Sequence, residues 1–264
     1  MVEAFHQLTA AIYLVAAIVA SMGLALPAPR LSRASLGILG AGAAFHVACF
    51  ALIHMGGETP ALTDLPVAVS FTALIATLFY LVLARLSRVE GLVALVAPLA
   101  FVSVFVAGLR LPTAEAGSAA ASGSWQHAHV LLASAGLALL GIAGMAGLFF
   151  LAEHRRLKSK RPIRLRFPLP SLEALDRVNR VSLAVGFPLL TLGVITGFFW
   201  VAERSGKIFT GAAHELWTAV AWGVYAAVVG ARFATHQGAR QAAAGAVGGF
   251  VFLLFAVIGL GFFA

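Results

Sequence analysis

Eight apolar stretches, each about long enough to cross the hydrocarbon core of a bilayer, divide this sequence from one end to the other. A membrane-spanning helix needs about 20 mainly apolar residues. The stretches are separated by short breaks rich in proline, glycine, small residues or arginine, and they cover residues 5–26, 36–55, 66–84, 90–109, 127–152, 182–202, 212–233 and 242–263. The pattern predicts an all-α fold, a polytopic bundle of eight transmembrane helices.

The composition of the chain agrees with a membrane protein. Apolar residues make up 61% of the 264 residues and charged residues only 11%, whereas a soluble domain carries about 25% charged residues. The first apolar stretch lacks a basic leader and is longer than the apolar core of a signal peptide, so we expect a retained helix. The single cysteine excludes an intrachain disulfide. We predict a single membrane domain over residues 1–264.

Basic residues are distributed very unevenly between the two sides of this bundle. Fifteen of the 18 lysines and arginines lie in or beside the loops that follow the first, third, fifth and seventh stretches, and only Arg110, Arg204 and Lys207 lie on the other side. Because basic loops stay in the cytoplasm, we predict that both termini lie outside. As a separate expectation, we place this multi-pass chain in a bacterial inner (cytoplasmic) membrane. The basic loops that give the chain its net charge of +8 then lie beside lipid headgroups. The expected partner of this charge is therefore the bilayer rather than nucleic acid.

The connection between the fifth and sixth stretches holds the densest positive charge. Residues 153–170 are predicted to form a basic cytoplasmic loop. Ser171 is a good helix N-cap, and Leu172, Leu175 and Val178 mark one face of a short amphipathic helix at about 171–181. We expect this helix to lie on the inner membrane surface. In the fifth stretch, the spacing of Gly144 and Gly147 predicts close helix packing.

The histidines are the residues best suited to bind a metal ion or a haem iron, because neutral imidazole is a common ligand of both. His46 lies about ten residues into the second stretch, roughly 15 Å from its inner end and near the bilayer centre. Three roles are open to a histidine at this depth. It can hydrogen-bond to a neighbouring helix, ligate haem iron, or relay protons.

A second candidate set consists of outer-side histidines near helix ends and the tryptophans beside them: His54, His127, His129, His214, Trp125 and Trp217. An aromatic belt at the membrane interface is the alternative interpretation of any single member. His127 and His129 point about 200° apart on a helix, so at most one faces a bundle interior. We interpret His6 as incidental, and His154 and His236 as polar anchors on the inner side.

The spacing of these histidines favours haem over zinc. Zinc takes three or four close protein ligands, and the only close pairs here are His127 with His129 and His214 with Glu215. Haem needs one or two axial ligands and an apolar, aromatic cavity, which the 20 phenylalanines and four tryptophans can supply. The spans are nearly free of Asp and Glu, which argues against an ion-coupled transporter.

Several segments together carry a resemblance to a known family. Residues 175–180 read Leu-Asp-Arg-Val-Asn-Arg, and residues 186–197 read Gly-Phe-Pro-Leu-Leu-Thr-Leu-Gly-Val-Ile-Thr-Gly. Weaker matches lie at residues 64–71, 125–130 and 222–226. These segments resemble the haem-handling cytochrome c assembly family, which includes CcsA, ResC, CcmC and HemX. Eight spans with both ends outside are also expected of that family.

The sequence departs from this family at three places. Members that present haem carry a tryptophan-rich outer loop before the seventh span, but residues 203–215 contain no tryptophan. Gly230, Ala231 and Arg232 occupy the region where a second in-membrane histidine is expected. An outer-face histidine near the end of the eighth span has no counterpart. The pattern resembles the shorter HemX/YpjD branch, which lacks that loop.

The resemblance implies a haem-handling membrane protein without catalytic turnover of its own. It implies haem, held transiently or as b-type haem, between helices near the outer face, with His46 and His129 as candidate iron ligands. His54 is a rival to His46, and His214 is a candidate from position alone. The alternative is a membrane scaffold or regulator that binds no haem and contacts other cytochrome c assembly or haem-biosynthesis proteins.

Overall fold

The computed structural model describes residues 2–26, 29–55, 65–110, 124–159, 170–235 and 237–263. The described chain forms eight α-helices, with a 3-10 turn at Glu90–Leu92 before the fourth. They are α1 (Val2–Ala25), α2 (Pro29–Met55), α3 (Leu65–Ser87), α4 (Val93–Arg110), α5 (Ser124–Ser159), α6 (Leu172–Ser205), α7 (Ala213–Ala234) and α8 (Ala239–Phe263). Each is long and apolar enough to cross a membrane. The all-α fold and the eight spans are confirmed, and the orientation of the termini stays a prediction.

Helix α6 begins as the sequence predicts but runs further than expected. The hydroxyl of Ser171 accepts a hydrogen bond from the backbone N–H of Ala174 at 3.2 Å, so the predicted N-cap is confirmed. The amphipathic segment at 171–181 is not a separate surface helix, because α6 continues without a break to Ser205, through Pro188. Leu175 and Val178 are buried, which ties this first part of α6 to the protein core. The prediction of a basic loop at 153–170 was wrong for residues 153–159, which continue α5 as its last two turns. Residues 160–169 lie outside the described part of the chain.

Contacts divide the chain into two compact units. The N-terminal unit consists of residues 1–120 and 155–174, and in it α1 packs against α2 and α4 while α3 packs against α4. The C-terminal unit consists of residues 121–154 and 175–264 and contains most of α5 and α6 together with α7 and α8. The single membrane domain stays a prediction.

Small residues allow α5 to approach its neighbours closely within the C-terminal unit. A Cβ atom added at Gly136 would lie 2.5 Å from the backbone nitrogen of Leu190 in α6. A Cβ atom at Gly144 would overlap the Cβ of Phe250 in α8, and one at Gly147 would lie 2.7 Å from a backbone oxygen of the same helix. The predicted close packing at Gly144 and Gly147 is therefore confirmed.

Replacing Gly136 by alanine is expected to destabilise the protein by about 1–3 kcal/mol, the usual range for overpacking a core. The new methyl group would meet the backbone of Leu190, which cannot rotate away as a side chain can. Gly230→Ala is the matched control, because nothing lies within 4 Å of a Cβ at that position. The check is the midpoint of thermal unfolding in detergent. Equal midpoints for the two variants would contradict the described α5–α6 contact.

Candidate functional site

His46 lies in the core of the N-terminal unit and both of its ring nitrogens are engaged. The side chain is fully buried. Its Nδ1 is 3.3 Å from the hydroxyl of Tyr13 in α1, and its Nε2 is 3.1 Å from the hydroxyl of Ser70 in α3. The ring of Phe50 stacks on the imidazole at 5.4 Å. Iron ligation by His46 would require one of these hydrogen bonds to break, whereas a hydrogen-bonding role between helices needs no change.

His6 belongs to the same buried polar group, although its sequence position near the N-terminus indicated an incidental role. Its Nε2 donates a hydrogen bond to the backbone oxygen of Val104 at 2.9 Å, so its Nδ1 carries the lone pair. The thiol of Cys49 lies 3.5 Å from that nitrogen. The rings of His6 and His46 meet edge to face at 6.3 Å. His6 therefore has a defined structural role, and the interpretation of it as incidental was wrong.

His129 has a different hydrogen-bonding state from His46. It lies near the Ser124 end of α5, half-buried, and its Nδ1 is 2.7 Å from the backbone oxygen of Gly193 in α6. A carbonyl oxygen only accepts, so Nδ1 must carry the proton and donate it. In the neutral ring, Nε2 then carries the lone pair. This is the tautomer that a metal-ligating imidazole needs.

Two glycines of α6 make room for this imidazole. A Cβ atom at Gly197 would lie 2.8 Å from Nδ1 and 2.9 Å from Cε1 of His129. At Gly193, a Cβ atom would lie 2.7 Å from the backbone nitrogen of Ala133, one turn further along α5. The absence of side chains at both positions lets α6 approach α5 closely enough for the hydrogen bond to form. The ring position of His129 therefore depends on the packing of two helices.

Aromatic side chains surround the same ends of α5 and α6. The indole of Trp200 stacks on His129 with ring centres 5.8 Å apart. The ring of Trp125 lies 4.8 Å from that of Phe199. The guanidinium carbon of Arg204 lies 5.6 Å from the ring centre of Trp200. We call these five residues, namely Trp125, His129, Phe199, Trp200 and Arg204, the α5–α6 aromatic cluster.

The remaining predicted site residues occupy different environments. His214, in the first turn of α7, is exposed and lies close enough to His129 for the two to interact electrostatically. Trp217 packs against Phe252 and Phe255 of α8, at 6.1 and 6.2 Å. His127 is exposed while His129 is half-buried, as expected for two residues that point about 200° apart on a helix. The side chain of His54, in the last turn of α2, lies outside the described part of the chain.

The carboxylate of Glu215 accepts hydrogen bonds from the loop between α6 and α7. Glu215 accepts hydrogen bonds from the backbone N–H of Thr210 at 2.8 Å, from its hydroxyl at 2.6 Å, and from the N–H of Gly211 at 3.0 Å. Gly211 has a φ of +80°, which an L-residue rarely adopts, so glycine suits this turn. The sequence drew attention to Glu215 only as a neighbour of His214. Its structural role is to fold the loop that precedes His214.

No group of three or more histidine, cysteine, aspartate or glutamate side chains is placed to hold a metal ion among the described residues. A haem iron needs no such group, because one or two axial ligands suffice. The chemistry that the α5–α6 aromatic cluster offers is therefore one imidazole lone pair next to flat apolar surfaces and one cation.

Comparison with known proteins adds an independent finding. A family model described as cytochrome c assembly protein matches residues 62–264. Among curated proteins, the cytochrome c biogenesis protein CcsA of Guillardia theta is 27% identical over 188 residues, which are 64% of this chain and 62% of that protein. CcsA of Prochlorococcus marinus (strain MIT 9303) is 37% identical over 92 residues, which are 35% of this chain and 29% of that protein. The chain thus spans less than two thirds of the length of these curated relatives.

Proposed function

This chain belongs to the cytochrome c assembly protein family, and on that premise we propose that it holds haem between helices of the C-terminal unit, near the outer face of the membrane, with His129 as the iron ligand. The assigned role is haem handling, with b-type haem bound transiently. It needs no catalytic turnover by the protein itself.

The single observation that carries this proposal is the hydrogen bond from His129 to Gly193. Histidines that ligate metals commonly donate their other ring N–H to a carbonyl or carboxylate, which fixes the tautomer and the orientation of the ring. The 2.7 Å contact does this for His129. Among the predicted ligands with described side chains, His46 has both nitrogens engaged by other side chains. The geometry therefore favours His129 over His46.

The residues of the α5–α6 aromatic cluster fit the chemistry of haem. Haem supplies an iron with axial positions for ligands, set in a large flat macrocycle. The Nε2 lone pair of His129 would ligate the iron, and Trp125 would offer an aromatic surface to the macrocycle. Trp200, which stacks on the imidazole, would help to hold the ring of His129 in place. His214 is the candidate for a second ligand, because it lies within electrostatic range of His129. Trp217, which packs against α8, would contribute only to the apolar lining of the haem site.

His46, His54 and His127 take lesser places in this proposal. Two hydrogen bonds support a role for His46 in joining α1, α2 and α3. We therefore expect a His46→Ala variant to lose stability rather than to lose a ligand. His54 remains a ligand candidate through the family resemblance alone, and the exposed His127 is the last choice.

The absorption spectrum of the protein purified from haem-replete cells tests the proposal. We expect a Soret band in the wild type that shifts on reduction, and a much weaker or displaced band in His129→Ala. His154→Ala is the matched control, because His154 lies at the opposite end of the same helix and stacks on Phe150. A wild-type protein with no band, even after addition of haem, would contradict the proposal and favour a scaffold that contacts other assembly or haem-biosynthesis proteins.

A further inference from the structure

Two side chains of the α5–α6 aromatic cluster, His129 and Arg204, contact the same indole, that of Trp200. The imidazole of His129 lies against the indole of Trp200 at 5.8 Å, with the two planes 27° apart. The guanidinium of Arg204 lies 5.6 Å from the same indole. Trp200 and Arg204 are four residues apart in α6, so they are neighbours on one helix face. The cation is therefore held next to the proposed ligand by a shared aromatic ring.

Arg204 makes no ion pair with a side chain in the described part of the chain. The carboxylate of Asp176 in the same helix is engaged by Arg180 and Arg232. Glu215, the buried carboxylate in the first turn of α7, is engaged by Thr210 and Gly211. A guanidinium that contacts an aromatic face keeps N–H donors available for a planar anion. Arg204, exposed at the end of α6, meets this description.

An apolar surface that ends in a guanidinium matches a ligand with a flat apolar body and carboxylates at one edge. Haem is such a molecule, since its two propionates extend from the same side of the macrocycle. Arginine is well suited to carboxylates because it can donate two parallel hydrogen bonds. A purely structural role for Arg204, opposite the negative end of the helix dipole or at the interface, would involve no ligand.

We propose that Arg204 binds the propionate carboxylates of the haem, so that the C-terminal unit selects porphyrins with free acid groups. The inference rests on the proposed function and deepens it, because it names the second chemical group of the ligand that the protein recognises. Arg204 then orients the macrocycle by binding the propionates at its edge, while His129 ligates the iron.

Titration of the purified full-length protein with ferric protoporphyrin IX and with its dimethyl ester tests this inference. The wild type is expected to bind the free acid more tightly than the ester, by about tenfold, the value of a hydrogen bond between charged groups. Arg204→Gln is expected to bind both porphyrins as the wild type binds the ester. Lys207→Gln is the matched control, since Lys207 is an exposed cation of the following loop, and its preference for the acid should stay unchanged.

The outcomes separate this inference from the proposed function. An Arg204→Gln variant that keeps the wild-type preference for the acid would overturn the role of Arg204, even if the Soret band still depends on His129. A wild type that binds neither porphyrin would overturn the proposed function itself. Arg204→Lys, which keeps the charge at the helix end, is expected to retain part of the preference. Thermal unfolding without porphyrin checks that each variant is folded.

Discussion

Replacing Gly197 by alanine is expected to lower the haem affinity of the protein by about 10- to 100-fold, the range typical of losing a hydrogen bond that orients a metal ligand. The new Cβ would lie 2.8 Å from Nδ1 of His129, closer than side chains approach one another. The imidazole would have to turn away, and its hydrogen bond to Gly193 would be lost. Nothing in this substitution removes a ligand atom, so the effect would come from ring orientation alone.

Haem titration in detergent measures this effect. Gly223→Ala provides the matched control, because a Cβ at Gly223 of α7 has nothing within 4 Å. Its affinity should equal that of the wild type. Should Gly197→Ala also bind haem as tightly as the wild type, the orientation of His129 by α6 would have no part in binding.

Removing the carboxylate of Asp176 is expected to destabilise the protein by about 3–5 kcal/mol, the cost of leaving a buried charge without its partner. Arg232 donates to Asp176 at 2.7 Å, and its side chain is only 7% exposed. The pair joins α6 to α7. In Asp176→Ala, the guanidinium of Arg232 would have to stay buried and unpaired or draw α7 out of its packing.

Arg180 gives an internal control for this prediction, because it pairs with the other oxygen of the same carboxylate at 2.8 Å but is 59% exposed. Arg180→Ala is expected to change the stability by no more than about 1 kcal/mol. Thermal unfolding in detergent compares the two variants. A double variant, Asp176→Leu with Arg232→Met, should recover most of the loss, since it removes both charges together. Equal losses of stability in Asp176→Ala and Arg180→Ala would show that the buried guanidinium of Arg232 does not need Asp176 as its partner.

The helices of this fold could be predicted from the sequence because each depends on a local property. Runs of apolar residues of the right length located all eight spans, and Ser171 marked the start of α6 through its own side chain. The continuity of α6 past residue 181 could not be predicted in the same way. The burial of Leu175 and Val178 reflects packing against other helices, and the polar residues between them had suggested a surface position.

The candidate site was predicted only in part. The resemblance pointed to His129, but its tautomer depends on a carbonyl 64 residues away in the sequence. The hydrogen bonds of His46 come from α1 and α3 and are equally non-local. The structural role of His6 could have been predicted from the sequence, however. His6, Thr9 and Tyr13 are spaced i, i+3 and i+7, so they form one polar face on an apolar helix, and all three are buried.

The packing also gives a physical reason for the family-like segment at 186–197. A Cβ at Gly186 would lie 2.9 Å from Leu139, and Gly193 and Gly197 face Ala133 and His129 in the same manner. Within the segment, Thr191 accepts a hydrogen bond from the indole N–H of Trp222 at 3.0 Å. These glycines therefore form the surface of α6 that contacts α5, and this contact positions His129.

Rescue of a His129→Gly variant by free imidazole tests the ligation of iron by His129 most directly. If Nε2 of His129 is the ligand, the variant should lose the wild-type Soret position, and added imidazole should restore it by entering the space left by the side chain. His154→Gly with imidazole is the control, and its spectrum should match the wild type throughout. A His129→Gly variant whose spectrum equals that of the wild type before any imidazole is added would contradict the assignment.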